Sequence, residues 1–204
     1  MKKLKNTGFT LIELLAVITI MGILMLVAIP AVSRTIENSR RDTFADVAKT
    51  YINTVRNAVL ADELICDNVS VGGTSNGTYY FAINTKEGTT ANQQTVDIME
   101  SVGKSSWSNS DVEGYVVWTK SNTVTTGEGE GATTTEGETT STKYKILLVD
   151  TGSHGIDTET DEKAITRSTV KTKTSIKAGG TAGQNGEAGT AVGTPTGATA
   201  CTLK

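Results

Sequence analysis

The sequence predicts an α+β chain: one long amino-terminal helix packed on a small antiparallel β-sheet head. Three observations predict it. An apolar run without a charge extends from Leu14 to Ser33. An amphipathic stretch follows it with no intervening glycine after Gly22 until Gly72. Beyond that, short β-branched and aromatic runs alternate with Gly- and Thr-rich segments, as strands alternate with turns. The 204 residues carry a net charge of −3, which gives no support for nucleic-acid binding.

The helix comes first. Lys2, Lys3 and Lys5 open the chain, and Glu13 is the one charge between Phe9 and Ser33. Twenty apolar residues at 1.5 Å each cross a bilayer core of about 30 Å. The lysines hold the amino end in the cytoplasm, although Arg34, Arg40 and Arg41 beyond the run weaken the charge bias. A secretory signal peptide fits badly, because the core is too long and contains a carboxylate. The partial cleavage pattern Ala28-Ile29-Pro30 does not rescue it. A plain anchor leaves Glu13 to snorkel towards the headgroups, and does not account for the order Gly8-Phe9-Thr10-Leu11-Ile12-Glu13.

From Thr35 the spacing turns amphipathic. Ile36, Phe44, Val47, Ala48, Tyr51, Ile52, Val55, Ala58 and Val59 recur at steps of three and four, with charges mostly between them. One helix from about Thr10 to about Leu64 is predicted, its second half packing on a sheet. A heptad coiled coil is disfavoured because no leucine seam is sustained.

The head follows. Strands are expected at Thr78–Ile83, Gly114–Thr119 and Lys143–Val149, the last two pairing as a hairpin. A short helix is expected at Thr95–Val102, and a Thr- and Lys-rich edge strand at Lys163–Lys177. The hairpin tip, residues 125–142, is rich in Gly, Thr and Ser and acidic through Glu128, Glu130, Glu136 and Glu138, so it reads as a flexible loop. Residues 178–204 are dominated by Gly, Ala and Thr and read as a loose tail.

Cys66 and Cys201 lie far apart and make no CxxC pattern. Outside the cell they would form one disulfide, closing a large loop and stabilising by ~2–5 kcal/mol; otherwise they are two unpaired thiols. No catalytic constellation is visible. His154, the one histidine, sits beside Ser153 in a glycine-flanked loop, which makes no triad, because a nucleophile and its base must meet in space with an orienting acid. Asp150, Asp157, Glu159, Asp161 and Glu162 supply oxygen ligands of the kind calcium takes, but not at EF-hand spacing. Asn68-Val69-Ser70 and Asn76-Gly77-Thr78 fit the glycan acceptor pattern. No metal, cofactor or enzymatic activity is expected.

The leading segment resembles the signature of type IV pilins and pseudopilins: a short basic leader ending in Gly8, then Phe9-Thr10-Leu11-Ile12-Glu13 and an apolar run. The resemblance covers residues 1 to about 65. It implies a pilin fold, with residues 1–8 a cleaved leader, 9–33 a transmembrane and assembly helix, and 34–65 the amphipathic half of that helix. The head would occupy 66–177 and the tail 178–204. A prepilin peptidase would cut between Gly8 and Phe9 and methylate the new amine of Phe9. Glu13 would pair with that amine on a neighbouring copy, because a buried unpaired charge costs several kcal/mol. Gly22 and Pro30 match family positions between which the helix can kink or unwind in a fibre.

The implied partners are other pilin copies, the peptidase, and the pilus assembly platform with its ATPase. The implied location is a single pass in the plasma membrane, amino end cytoplasmic and head outside, before assembly into a surface pilus. Adhesion, motility, biofilm formation and DNA uptake are the activities such a fibre serves. Gly103 through Trp107 to Gly114-Tyr115-Val116 also resembles the helix-loop-strand entry of Gram-positive pilin heads. The near alternative is a minor pilin or a pseudopilin of a type II secretion or competence system. The distant one is a monomeric, membrane-anchored surface binding protein. Many relatives place both cysteines near the carboxyl end; this chain does not, so their cysteine-loop role is not carried over.

Overall fold

A computed structural model describes residues 9–99, 103–107, 109–126, 133–151, 154–172 and 192–204; side chains are described except at 122–126 and 133–141. The chain divides into two compact units, residues 1–39 and 40–204. Helix α1 runs from Leu11 to Leu60 and belongs to both.

In the second unit α1 presents one apolar stripe. Phe44, Ala45, Ala48, Tyr51, Ile52, Val55 and Ala58 are buried, at the three- and four-residue steps of a single helix face. Val47 and Val59 flank it, half-buried. Ile36, expected in this stripe, is 49% exposed and lies in the first unit. The helix stops at Leu60 rather than near Leu64, and the reason is backbone geometry. Asp62 takes φ 56°, so the Asp62 N–H donates to Val59 O and the Glu63 N–H to Ala58 O. Those are the two bonds of a Schellman stop, made here with Asp where Gly is usual.

The head is a seven-stranded sheet in the order β2-β1-β7-β3-β4-β5-β6. The strands are β1 (Leu64–Cys66), β2 (Val69–Ser70), β3 (Gly77–Asn84), β4 (Val112–Thr126), β5 (Thr133–Asp150), β6 (Gly155–Asp161) and β7 (Thr199–Leu203). All neighbours are antiparallel except β3 and β7. Asp67 and Asn68, both at positive φ, turn β1 into β2 as a two-residue hairpin. Helix α2 spans Thr90–Ile98, begun by Thr89, whose side chain accepts from the Asn92 N–H.

Alternation along the strands gives the sheet two faces. One face puts Phe81, Ile83, Val116, Trp118, Ile146, Leu148 and Ile156 into the same core as the α1 stripe. Trp118 is its largest fully buried side chain, with Tyr79 and Tyr144 rings 6.1 and 6.4 Å away. Arg56 lies over the Tyr144 ring at 4.8 Å and ion-pairs with Glu162, clamping the helix to the turn after β6. The other face buries Tyr115, Val117, Leu147 and Val149, against which Tyr80, Val192 and Ala198 pack.

Four sequence expectations differ from this architecture. The short helix starts at Thr90 rather than Thr95, because Thr89 supplies the cap; residues 100–102 lie outside the described residues. Glu162–Ala164 form a 3₁₀ turn rather than the start of an edge strand, and Lys171 makes one bridge to Gly155; residues 173–177 lie outside the described residues. One edge of the sheet is instead β6, whose burial does not alternate and whose carboxylates hide it as a strand. The acidic stretch 125–142 continues the hairpin, with Thr125 opposite Thr134 and Thr126 opposite Thr133. β-branched threonines favour an extended backbone there, while 127–132, with Glu128 and Glu130, lie outside the described residues. The supposed loose tail ends in β7, an interior strand.

Cys66 and Cys201 are disulfide-bonded and stand directly opposite each other on β1 and β7. The bond joins residues 135 apart in sequence, so it removes a large loop from the unfolded ensemble. The Asp62 carboxylate is held well below the usual carboxylate range by the Ser70 hydroxyl, the Lys204 ammonium and the Gly72 N–H. Arg167 lowers Asp42 in the same way.

Reduction of the disulfide is expected to lower head stability by about 2–5 kcal/mol in urea unfolding. Gly114→Ala is expected to cost about 2 kcal/mol or more, because a Cβ there would sit 2.0 Å from Leu147 O; an unchanged urea midpoint contradicts that close approach. Depressed carboxylates stabilise the fold above their unfolded pKa and lose that contribution as pH falls towards the folded value. Stability is therefore expected to drop from about pH 4 downwards, and Asp62→Asn to flatten part of that drop.

Candidate functional site

The first unit is an apolar helix whose large side chains are exposed among the described residues. Phe9 is 92% exposed, Leu11 83% and Leu26 76%, and large apolar side chains between Phe9 and Val32 are at least half exposed throughout. By length and composition this part of α1 is able to cross a membrane. A contiguous apolar surface on this scale marks a lipid or protein contact.

Its start is specifically built. Thr10 is the residue before the helix. Its backbone N–H and its hydroxyl both donate to the Glu13 carboxylate, each at 2.8 Å, and the Glu13 N–H donates back to the Thr10 hydroxyl at 3.3 Å. This is a reciprocal capping box, which satisfies donors that a helix start otherwise leaves open. The sequence expectation for Glu13 omits this role, although Thr-x-x-Glu ahead of an apolar run is its signature.

The other expected residues fall as follows. Gly8 and the leader lie outside the described residues, and Phe9 is the first described one. Gly22 and Pro30 both lie inside a continuous α1, and nothing approaches within 4 Å of where a Gly22 Cβ would be. Removing the Pro30 donor leaves the helix unbroken, as apolar helices tolerate.

The head holds a buried polar knot rather than a reaction centre. Asp150, fully buried, accepts from the Ser105 hydroxyl at 2.7 Å and the His154 N–H at 2.6 Å, with His154 Nδ1 at 3.3 Å. The His154 ring stacks on Trp107 at 4.3 Å, and Trp107 packs on Phe44. Both Ser105 and His154 point at the acid, so no base faces the hydroxyl as a triad requires. The knot fastens the segment after α2 to β5, and the Ser106 hydroxyl ties it to Arg40 O.

The remaining carboxylates of the acidic patch are engaged separately. Asp157 pairs with Lys171, Glu159 accepts from the Tyr115 hydroxyl, Asp161 accepts from the Lys163 N–H and Glu162 pairs with Arg56. Among the described residues no group of three His, Cys, Asp or Glu converges as a metal site would. A groove of about 610 Å³ on the outer sheet face is lined by Thr78, Thr119, Lys143, Lys145, Glu159 and Asp161, with no nucleophile and base paired in it.

Comparison with known proteins agrees with the amino-terminal geometry. A family model described as the prokaryotic N-terminal methylation motif matches residues 3–29. No curated protein and no solved structure matches the chain. The match ends inside the apolar part of α1, so the head contributes nothing to it. Residues 3–29 thus carry the prokaryotic N-terminal methylation motif, the class III signal of type IV pilins and pseudopilins, at the start of a long apolar helix.

Proposed function

We propose that the protein is a structural subunit of a type IV pilus, polymerised through the apolar part of α1. One observation carries the reading: an exposed apolar helix surface, begun by a capped carboxylate inside the stretch that the methylation motif matches. Before assembly, residues 9–33 cross the plasma membrane, with the lysines of the leader in the cytoplasm and the head outside. A prepilin peptidase removes residues 1–8 at the Gly8–Phe9 bond and methylates the Phe9 amine. An assembly platform and its ATPase then move the helix from lipid into a bundle of other copies.

Glu13 has two tasks in this scheme. In a single chain it caps its own helix through Thr10. In the bundle it also faces the Phe9 amine of a neighbour. Burying either charge alone is costly, and only the correctly docked neighbour removes the cost, so the pair selects register. Gly22 and Pro30 mark the segment able to unwind during that transfer. The surface fibre serves adhesion, motility or biofilm formation. A pseudopilin or minor pilin shares the same signal and processing, and differs in how much of it accumulates as fibre.

The test is intact mass of protein sheared from cells. A chain beginning at methylated Phe9, abundant in a high-molecular-weight fraction, supports a pilus subunit. The same processed chain confined to membranes points to a pseudopilin or minor pilin. A chain that keeps residues 1–8 and is extracted as a monomer refutes the reading in favour of a membrane-anchored binding protein. Glu13→Leu is expected to insert and be cleaved but to leave the sheared fraction nearly empty. Wild-type amounts of fibre from that variant contradict the pairing.

A further inference from the structure

Strand β7 is the last element of the chain, yet it lies inside the sheet. β1 pairs with it antiparallel through Leu64, Ile65 and Cys66, and β3 pairs with it parallel through Tyr79, Tyr80 and Phe81. Its side chains bury little: Cys201 is the one buried residue, Thr199 and Leu203 are half-buried, and Ala200 and Thr202 are exposed. Retention therefore rests on short backbone ladders, on two bonds at the carboxyl end and on the disulfide. At that end the Lys204 N–H donates to Glu63 O and the Lys204 ammonium pairs with Asp62, each at 2.9 Å. The described residues that lead into the strand, 192–198, add only small contacts, with Val192 and Ala198 packed on the outer sheet face and Pro195 buried.

We propose that β7 is an exchangeable strand latched by the Cys66–Cys201 disulfide, and that with the latch open the slot between β1 and β3 accepts β7 of a second copy of this chain. The chemistry of the slot selects that occupant. It offers two backbone edges, one antiparallel and one parallel to the entering strand. It also places a thiol at Cys66 and a carboxylate at Asp62. A matching strand needs a cysteine and, three residues on, a cation, which is the arrangement of Cys201 and Lys204. Exchange of an identical element between copies is a low-cost route to association.

The redox steps balance. A dithiol opens the latch: the S–S bond breaks, both cysteines take up a proton and an electron each, and the dithiol closes to a cyclic disulfide. A low-molecular-weight disulfide recloses it. The Cys66 thiolate displaces one small thiol, and the Cys201 thiolate, from the same chain or the second copy, displaces the other.

The full chain in detergent micelles, unlabelled and ¹⁵N-labelled in equal amounts, tests this. The mixture is reduced with dithiothreitol, reoxidised with glutathione disulfide and digested without reductant. Cys66–Cys201 peptide pairs of mixed isotope are expected, approaching about half of all such pairs, and none when the oxidised chains are mixed without reduction. Pairs of one isotope alone overturn the proposal. So do Cys66–Cys66 and Cys201–Cys201 pairs in comparable amount, since random collision of unfolded chains produces them. A second measurement uses full-length Cys201→Ser and a synthetic peptide of residues 196–204. The peptide is expected to form a disulfide with Cys66 at least tenfold faster than one of scrambled order; equal rates overturn a templated slot.

Discussion

A single helix in this protein has to satisfy two different surroundings, and the rest of the structure depends on that constraint. Its carboxyl-terminal half is amphipathic and finds its cover within the chain, where Phe44, Tyr51, Ile52 and Val55 disappear against the sheet. Its amino-terminal half is apolar all round, and its large side chains are exposed among the described residues. Water is a poor solvent for that surface, so lipid or other apolar helices must replace it. The two halves share one uninterrupted backbone, which leaves Pro30 tolerated rather than disruptive.

How much of this was legible depended on how local each signal was. The long helix was legible because three- and four-residue spacing persists over many turns, and the β4–β5 hairpin because Tyr115–Trp118 and Tyr144–Val149 are apolar enough to be strands on either side of any tip. The helix end was not. Asp62 adopts a left-handed backbone that its composition does not announce, and its carboxylate is then satisfied by Ser70, Gly72 and Lys204, the last of them 142 residues away. Strand β6 was hidden because one apolar residue, Ile156, buries it while Asp157, Glu159 and Asp161 find separate partners. Strand β7 was hidden for a related reason. Its stability comes from ladder pairing and a cross-link, neither of which leaves an apolar pattern.

At the amino-terminal site, residue types and spacing were legible and geometry was not. Glu13 stood out because a carboxylate in an apolar run has a cost. That Thr10 already satisfies it locally changes the physical picture of the monomer, whose carboxylate is not an open charge awaiting a partner. In the head, the pairing of His154 with Asp150 could not be read from a lone histidine. The spatial neighbour that orders its ring, Trp107, comes from a separate loop.

The position of β7 has a consequence for the order in which the head is made. β1 and β2 are joined to β3–β6 only through β7, so among the described residues the sheet exists as two pieces until β7 has docked. Contacts between the ends of a chain are the slowest to close and leave strand edges open meanwhile. Chains in which β7 has not yet docked are therefore the most exposed to proteolysis and to mispairing. A tag fused directly after Lys204 would also load the one strand that completes the fold, next to the Asp62 turn where α1 ends.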